Sequence, residues 1–273
     1  MSNASSGLHP AEGGGRLTEW IQDKRRMLLG ILAVIMFFVI WEAVFTWVVP
    51  LNKFFMSKPS LIWLGFLYDF SSGKMMHELM VSGRPFLFGF IAAIVVGIFI
   101  GTFMGWRTRV GYALDPLMTA LYASPLIAIA PLVIIIFGVG ISGKAILIFV
   151  LAVFPFIFNT YAGVKSVEPL LINVVRSMGG GERDIYFKVI VPSVLPYIIA
   201  GGRYAIGRAL VGVLVGEFYA ASEGIGYQIA FYSDMYALDR MFAYIIVMMV
   251  VAVAFTEGIR WAERTAFPWR VGM

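Results

Sequence analysis

The sequence contains no cysteine and only two histidines, His9 and His77, among 273 residues. That excludes disulfides, thiolate metal sites and a thiol nucleophile, and it leaves almost nothing for histidine-based metal or acid–base chemistry. Charge is the second scarcity. Only 14% of residues are charged, where a soluble domain carries about 25%. Apolar residues take 60% of positions, and the mean hydropathy is +0.86. Such a chain is an integral membrane protein.

A helix crossing about 30 Å of hydrocarbon needs roughly 20 apolar residues. Six segments reach that length, at about 27–49, 85–105, 116–138, 144–164, 194–216 and 241–259, which predicts an all-α polytopic membrane protein with six transmembrane helices. The first follows Lys24, Arg25 and Arg26, exceeds a signal-peptide core and has no small-residue cleavage site behind it. It therefore reads as a retained span. Segment 59–80 mixes Trp63 and Tyr68 with Asp69, Lys74 and Glu78 and reads as interfacial. The domain reading is a disordered N-terminal tail over 1–26, a membrane domain over 27–265 and a C-terminal tail over 266–273.

Lys and Arg near span ends favour the cytoplasm. With the N-terminus inside, thirteen basic residues fall in inside segments and six in outside ones, while Arg203 and Arg208 lie within a span. Both termini are thus expected in the cytoplasm. The net charge of +5 follows from this asymmetry and calls for no nucleic-acid partner.

Three features within the spans bear on packing and chemistry. Gly97, Gly101 and Gly105 form one four-residue stripe and Gly212 and Gly216 another; such stripes let helices approach closely, within the chain or across a dimer seam. Pro125 and Pro131 should kink the third span, and a kink is tolerated where it lines a protein-covered cavity. Gly138 to Ala145 has the spacing of a nucleotide-binding loop, but Ala145 stands where a magnesium-binding Ser or Thr belongs and no strand precedes it. ATP hydrolysis should come from another subunit.

The most informative stretch is a polar island, Val175 to Pro192, between the fourth and fifth spans. Charge orientation puts it in the cytoplasm. Gly179, Gly180 and Gly181 permit a sharp turn; Arg176, Arg183 and Lys188 can pair with acidic groups on a partner, and Met178, Ile185, Tyr186 and Phe187 can fill its pockets. Gly179 is followed thirteen positions later by Pro192. This resembles the cytoplasmic coupling loop of ABC importer permeases, whose pattern is Glu-Ala-Ala, three residues, Gly, nine residues, Ile, any residue, Leu-Pro. Asn173-Val174-Val175 stands in place of Glu-Ala-Ala, and Ile190-Val191-Pro192 departs slightly from the closing pattern.

The resemblance continues through Tyr122-Ala123-Ser124-Pro125, Phe137-Gly138-Val139-Gly140, Phe158-Asn159-Thr160, Gly216-Glu217-Phe218 and Gly224-Ile225-Gly226-Tyr227, over about residues 30–265. All of these look like permeases of the nitrate, sulfonate and taurine type. The resemblance implies a type I ABC importer permease fold in a bacterial inner membrane, a homodimer, two cytoplasmic ATPase subunits that bind ATP and Mg, and an extracytoplasmic solute-binding protein, with no cofactor in this chain. It assigns ATPase coupling to a loop of about 168–192, with Asn173, Arg176, Ser177, Met178, Gly179, Gly180, Gly181, Glu182, Ile185, Tyr186 and Pro192.

For the pathway or gate the candidates are Tyr122, Ser124, Pro125, Arg203, Arg208 and Glu217. Charge at membrane depth costs about 2.5–3.5 kcal/mol on insertion scales and faces a bundle interior or a pathway. The two arginines could attract a small organic anion or pair with Glu42, Glu217 or backbone carbonyls; Glu217 is a candidate for the outer gate. A vitamin precursor such as the thiamine pyrimidine or riboflavin is the other substrate class that the resemblance implies. An ion-gradient-driven transporter would show inverted repeats and paired intramembrane carboxylates, and a membrane enzyme would show clustered catalytic side chains.

Overall fold

The computed structural model describes residues 13–48, 56–220 and 222–266. Within these every regular element is helical: α1 (Gly13–Ala43), α2 (Pro59–Ser71), α3 (Lys74–Trp106), α4 (Thr108–Ala123), α5 (Ala130–Phe137), α6 (Ile141–Lys165), α7 (Pro169–Ser177), α8 (Glu182–Ile185), α9 (Val191–Ala220), α10 (Ile225–Asp234) and α11 (Leu238–Ala266). Among the described residues five helices are long and apolar enough to cross a membrane, and six if the bent pair around Pro125 counts as one span. The N-terminal tail was expected to reach residue 26, but helix is present from Gly13 onward. Residues 1–12 and 267–273 of the expected tails lie outside the described residues.

The centre of the bundle is α6. An unbroken run from Leu151 to Ile157 is buried, because α3 covers one side and α9 the other. Both glycine stripes face it. A Cβ on Gly97 would meet the Phe156 Cβ at 2.5 Å, one on Gly101 the Ile157 carbonyl oxygen at 2.5 Å, and one on Gly105 the Val164 Cβ at 2.5 Å. On α9, a Cβ on Gly212 would meet the Ile148 Cα at 2.9 Å. The stripes are therefore used inside the chain, where small residues replace the hydrophobic drive that lipid does not supply.

Three segments differ from the sequence reading. The second span begins at Lys74 rather than about 85, because Glu78 and Ser82 turn inward and are buried. Segment 59–80 is accordingly not one interfacial helix but α2, a turn at Gly73 with φ 76°, and the first turns of α3. The third span is not merely kinked: α4 ends at Ala123, Ser124 is extended with ψ 151°, and the chain continues after an 80° bend. The ring of Pro125 excludes the helical region for the residue before it, and a short 3-10 turn over Leu126–Ile129 leads into α5.

Candidate functional site

The polar island forms a compact excursion at the end of the bundle where α3 and α6 finish and α9 starts. Pro169 opens α7, where a missing N–H costs nothing. The helix ends as the Gly179 N–H donates to the Arg176 carbonyl and the Gly180 N–H to the Val175 carbonyl. Gly179 has φ 81°, a left-handed conformation in which a Cβ is penalised. The chain then turns into α8, where the Gly181 N–H donates to the Asp184 carboxylate at 3.2 Å. Arg176 and Glu182 pair across the turn at 3.8 Å, and Lys188 holds Asp184 at 2.7 Å.

The excursion is fastened from behind by its own small core. Val164, Ile185, Ile190 and Val194 are buried together, with Trp106, Ile172 and Val175 packed against them. Ile185 is therefore buried against the bundle, while Tyr186 is half-buried and meets the Trp106 ring. A cleft of about 290 Å³ separates the loop from the helix ends and is lined by Trp106, Arg107, Val167, Ile172, Arg176 and Glu182 among others. On the outward side Leu170, Leu171, Val174 and Met178 are exposed, Met178 at 82%, along with Asn173 and Ser177. Residues 171, 174 and 178 recur at helical spacing, so they form one apolar stripe that no other described residue covers. Pro192 is exposed at the start of α9.

The pathway candidates divide into three places. Tyr122, Ser124 and Pro125 lie at the break after α4, all exposed. The Tyr122 ring sits 5.7 Å from that of Phe154 and 5.4 Å from that of Phe158, and the Arg208 guanidinium lies 5.5 Å from the Tyr122 ring centre. Arg208 thus does not pair with Glu42 or Glu217: Glu42 is held by Ser60 and Lys58, and Glu217 is enclosed at the far end of α9. Arg203 points elsewhere, to Glu263 on α11 at 3.4 Å. The glycine-rich turn at Gly138–Gly140 joins α5 to α6.

Glu217 belongs to a buried polar cluster at the opposite end of the bundle from the excursion. It accepts from the Ser82 hydroxyl at 2.8 Å and from the Gly226 N–H at 2.8 Å, and Lys144 lies 3.8 Å away. Glu78 accepts from the Gly224 N–H at 2.6 Å and from the Gln228 side-chain amide at 2.7 Å. Next to it Tyr232 donates to Asp69 at 3.2 Å and accepts from Lys74 at 3.0 Å, with Arg240 3.8 Å from Asp69. Sequence reading missed Glu78, Ser82, Lys144 and Gln228. The available signal was the four-residue spacing of Glu78 and Ser82 on one helix face.

Residues 93–265 match the family described as "Binding-protein-dependent transport system inner membrane component". Curated relatives include the formylaminopyrimidine transport permease protein of Halalkalibacterium halodurans, 31% identical over 74% of this chain and 81% of the relative. The putative aliphatic sulfonates transport permease protein of Bacillus subtilis is 32% identical over 78% and 77%, and the taurine transport system permease protein of Escherichia coli is 28% identical over 88% of each. With a helical bundle and a family match over more than half its length, the chain belongs to the inner-membrane components of binding-protein-dependent transport systems: it is a multi-pass, non-catalytic ABC importer permease that works with ATPase subunits and a solute-binding protein.

Proposed function

We propose that the excursion over 168–192 is the surface through which the ATPase drives this permease, and that two copies of the chain enclose the pathway. The observation that carries the reading is the stripe of Leu171, Val174 and Met178, exposed outward while Ile172, Val175 and Ile185 fasten the same loop to the bundle from behind. A short rigid helix held this way transmits force instead of absorbing it. The basic-residue asymmetry supports a cytoplasmic placement for both termini and for the loop, since its Arg176, Arg183 and Lys188 are among the thirteen inside residues.

In this reading ATP and its magnesium stay on the partner subunits. Closure of the ATPases brings two excursions together, the bundle opens outward to receive solute, and hydrolysis resets it. Tyr122, Ser124, Pro125 and Arg208 face the pathway at the broken span, whose exposed residues wait for the second copy. Arg203 and Glu217 hold the bundle: one pairs with Glu263, the other closes the polar cluster.

The solute is a small organic anion, attracted by Arg208. The sulfonate and taurine relatives support that class. The rings of Tyr122, Phe154 and Phe158 beside Arg208, together with the formylaminopyrimidine relative, favour a flat pyrimidine as the second class. Thermal-shift titration of the cognate binding protein with taurine, alkanesulfonates and formylaminopyrimidine separates the two. Alanine substitution across Ser177 to Gly181 is expected to uncouple ATPase stimulation from uptake. Full uptake in that variant overturns the docking role.

A further inference from the structure

The segment between α9 and α11 is seated on carboxylates. Three successive backbone N–H groups point at side chains from two other helices: Gly224 donates to Glu78 at 2.6 Å, Ile225 to the Ser82 hydroxyl at 2.9 Å and Gly226 to Glu217 at 2.8 Å. Ser82 closes the ring by donating to Glu217 at 2.8 Å, and Lys144 brings in α6. Every member is buried, Glu217 at 1% exposure and Gln228 at 4%. Gly224 adopts φ +115°, and a Cβ there would collide with the Glu217 carboxylate. The glycine-any-glycine spacing at 224–226 is therefore required by the seat and not by a turn alone.

We propose that Glu78, Ser82 and Glu217 are positioning residues that latch α10 to α3 and α9, so that α10 travels with the bundle as a fixed cap and does not open as a gate during transport. The physical reason is the cost of separation. Lifting α10 would strip three N–H groups and the Glu78 carboxylate of their partners, and take one donor from Glu217, in a low-dielectric interior where unpaired polar groups are most expensive. Water cannot replace them without flooding the cluster, because Ile225 at 0% exposure and Ile229 at 8% seal α10 to the core. Gating motion is then left to other elements, and Glu217 acts through α10 without touching solute. This deepens the transport reading and depends on it.

The chain has no cysteine, so single and paired cysteines report cleanly. The assembled permease with its ATPases in nanodiscs would carry Ile225→Cys, with Ile229→Cys as the replacement if the first does not fold. A sulfonated maleimide would be applied at rest and after vanadate trapping with ATP, retained ADP confirming the trapped state. Background labelling in both states, rising several-fold when Glu78→Ala is added, is the expected result. Labelling that rises on trapping in the parent, or that stays at background with Glu78→Ala, overturns the latch. In a second arm Ser82→Cys with Ile225→Cys is oxidised to a disulfide; ATPase stimulation by the cognate binding protein should stay within twofold of the reduced form. Stimulation lost on oxidation and restored by dithiothreitol shows that α10 must move. An assembly that binds no ATPase at all counts against the transport reading instead, and leaves the labelling arm to judge the latch in the permease alone at rest.

Discussion

Trp106, the last residue of α3, meets the Tyr186 ring edge-on with centroids 5.6 Å apart. This contact joins the end of a membrane-crossing helix to the excursion that connects α6 with α9. Tyr186 in turn stands 5.0 Å from Phe187, and beneath them Ile185 and Val194 complete the small core. In the proposed coupling, a push on the outer stripe of α7 would reach α3 through the small core and these rings.

An edge-to-face pair contributes about 0.5–1.5 kcal/mol beyond its buried area. Trp106→Ala and Tyr186→Ala are each expected to loosen the excursion, and the double variant should cost about 1 kcal/mol less than the sum of the two. Solute moved per ATP hydrolysed should fall in all three. Strict additivity in thermal unfolding, with an unchanged transport ratio, would show that the loop is positioned by something else.

The α3–α6 contact makes a second, purely structural prediction. Since a Cβ on Gly101 would meet the Ile157 carbonyl oxygen at 2.5 Å and the Thr160 Cβ at 2.8 Å, backbone must shift to admit it. Overpacking of this kind costs about 1–3 kcal/mol, so Gly101→Ala should lower the melting temperature and Gly101→Leu should prevent a monodisperse preparation. Gly207, with nothing within 4 Å of its Cβ position, is the control. Gly207→Ala should leave stability unchanged or raise it by up to about 1 kcal/mol through helix propensity.

Much of this architecture can be read from the residues. Long apolar runs give the spans, and the Gly97–Gly101–Gly105 stripe gives a close helix contact, because lipid-exposed backbone cannot be left unpaired and small residues are what let helices touch. What stayed hidden is what depends on partners distant in sequence. Glu78 looks like the polar face of an interfacial helix until Gly224 and Gln228, from the other end of the chain, supply its donors. Arg203 and Arg208 look alike on paper. Five positions apart on one helix, they face different neighbours, Glu263 on α11 and the Tyr122 ring at the broken span. The bend at Pro125 shows a limit of another kind: proline identifies where the helix fails, while the 80° angle depends on how α5 packs afterwards.

That divergence of the two arginines can be tested. The Arg203–Glu263 pair is partly exposed, 35% and 29% for the side chains, and such pairs contribute about 0–1 kcal/mol at a surface, more where lipid excludes water. Arg203→Glu should destabilise the permease through repulsion from Glu263, and the exchange Arg203→Glu with Glu263→Arg should restore the melting temperature. Arg208→Gln should leave the melting temperature unchanged while raising the KM for an anionic solute. A shift of KM on Arg203→Gln, with no effect from Arg208→Gln, would reverse the two roles.

The exposed stripe makes the sharpest separation between folding and coupling. Met178 is 82% exposed and Val174 46%, so neither is buried in the bundle, and removing them from the permease alone should change its stability by no more than about 0.5 kcal/mol. On a partner the arithmetic differs. An apolar anchor that fills a pocket at the centre of an interface costs about 2 kcal/mol or more when lost, and an aspartate placed there adds the burial of an unpaired charge. Met178→Asp should therefore leave the melting temperature of the isolated permease intact while the ATPase no longer co-purifies at concentrations where the parent complex holds. Asn173→Ala, exposed on the same helix but polar and with no side-chain hydrogen bond among the described residues, should weaken association less. Equal retention of the ATPase by Met178→Asp and the parent would mean that the stripe faces something other than the motor, and would move the docking surface away from α7.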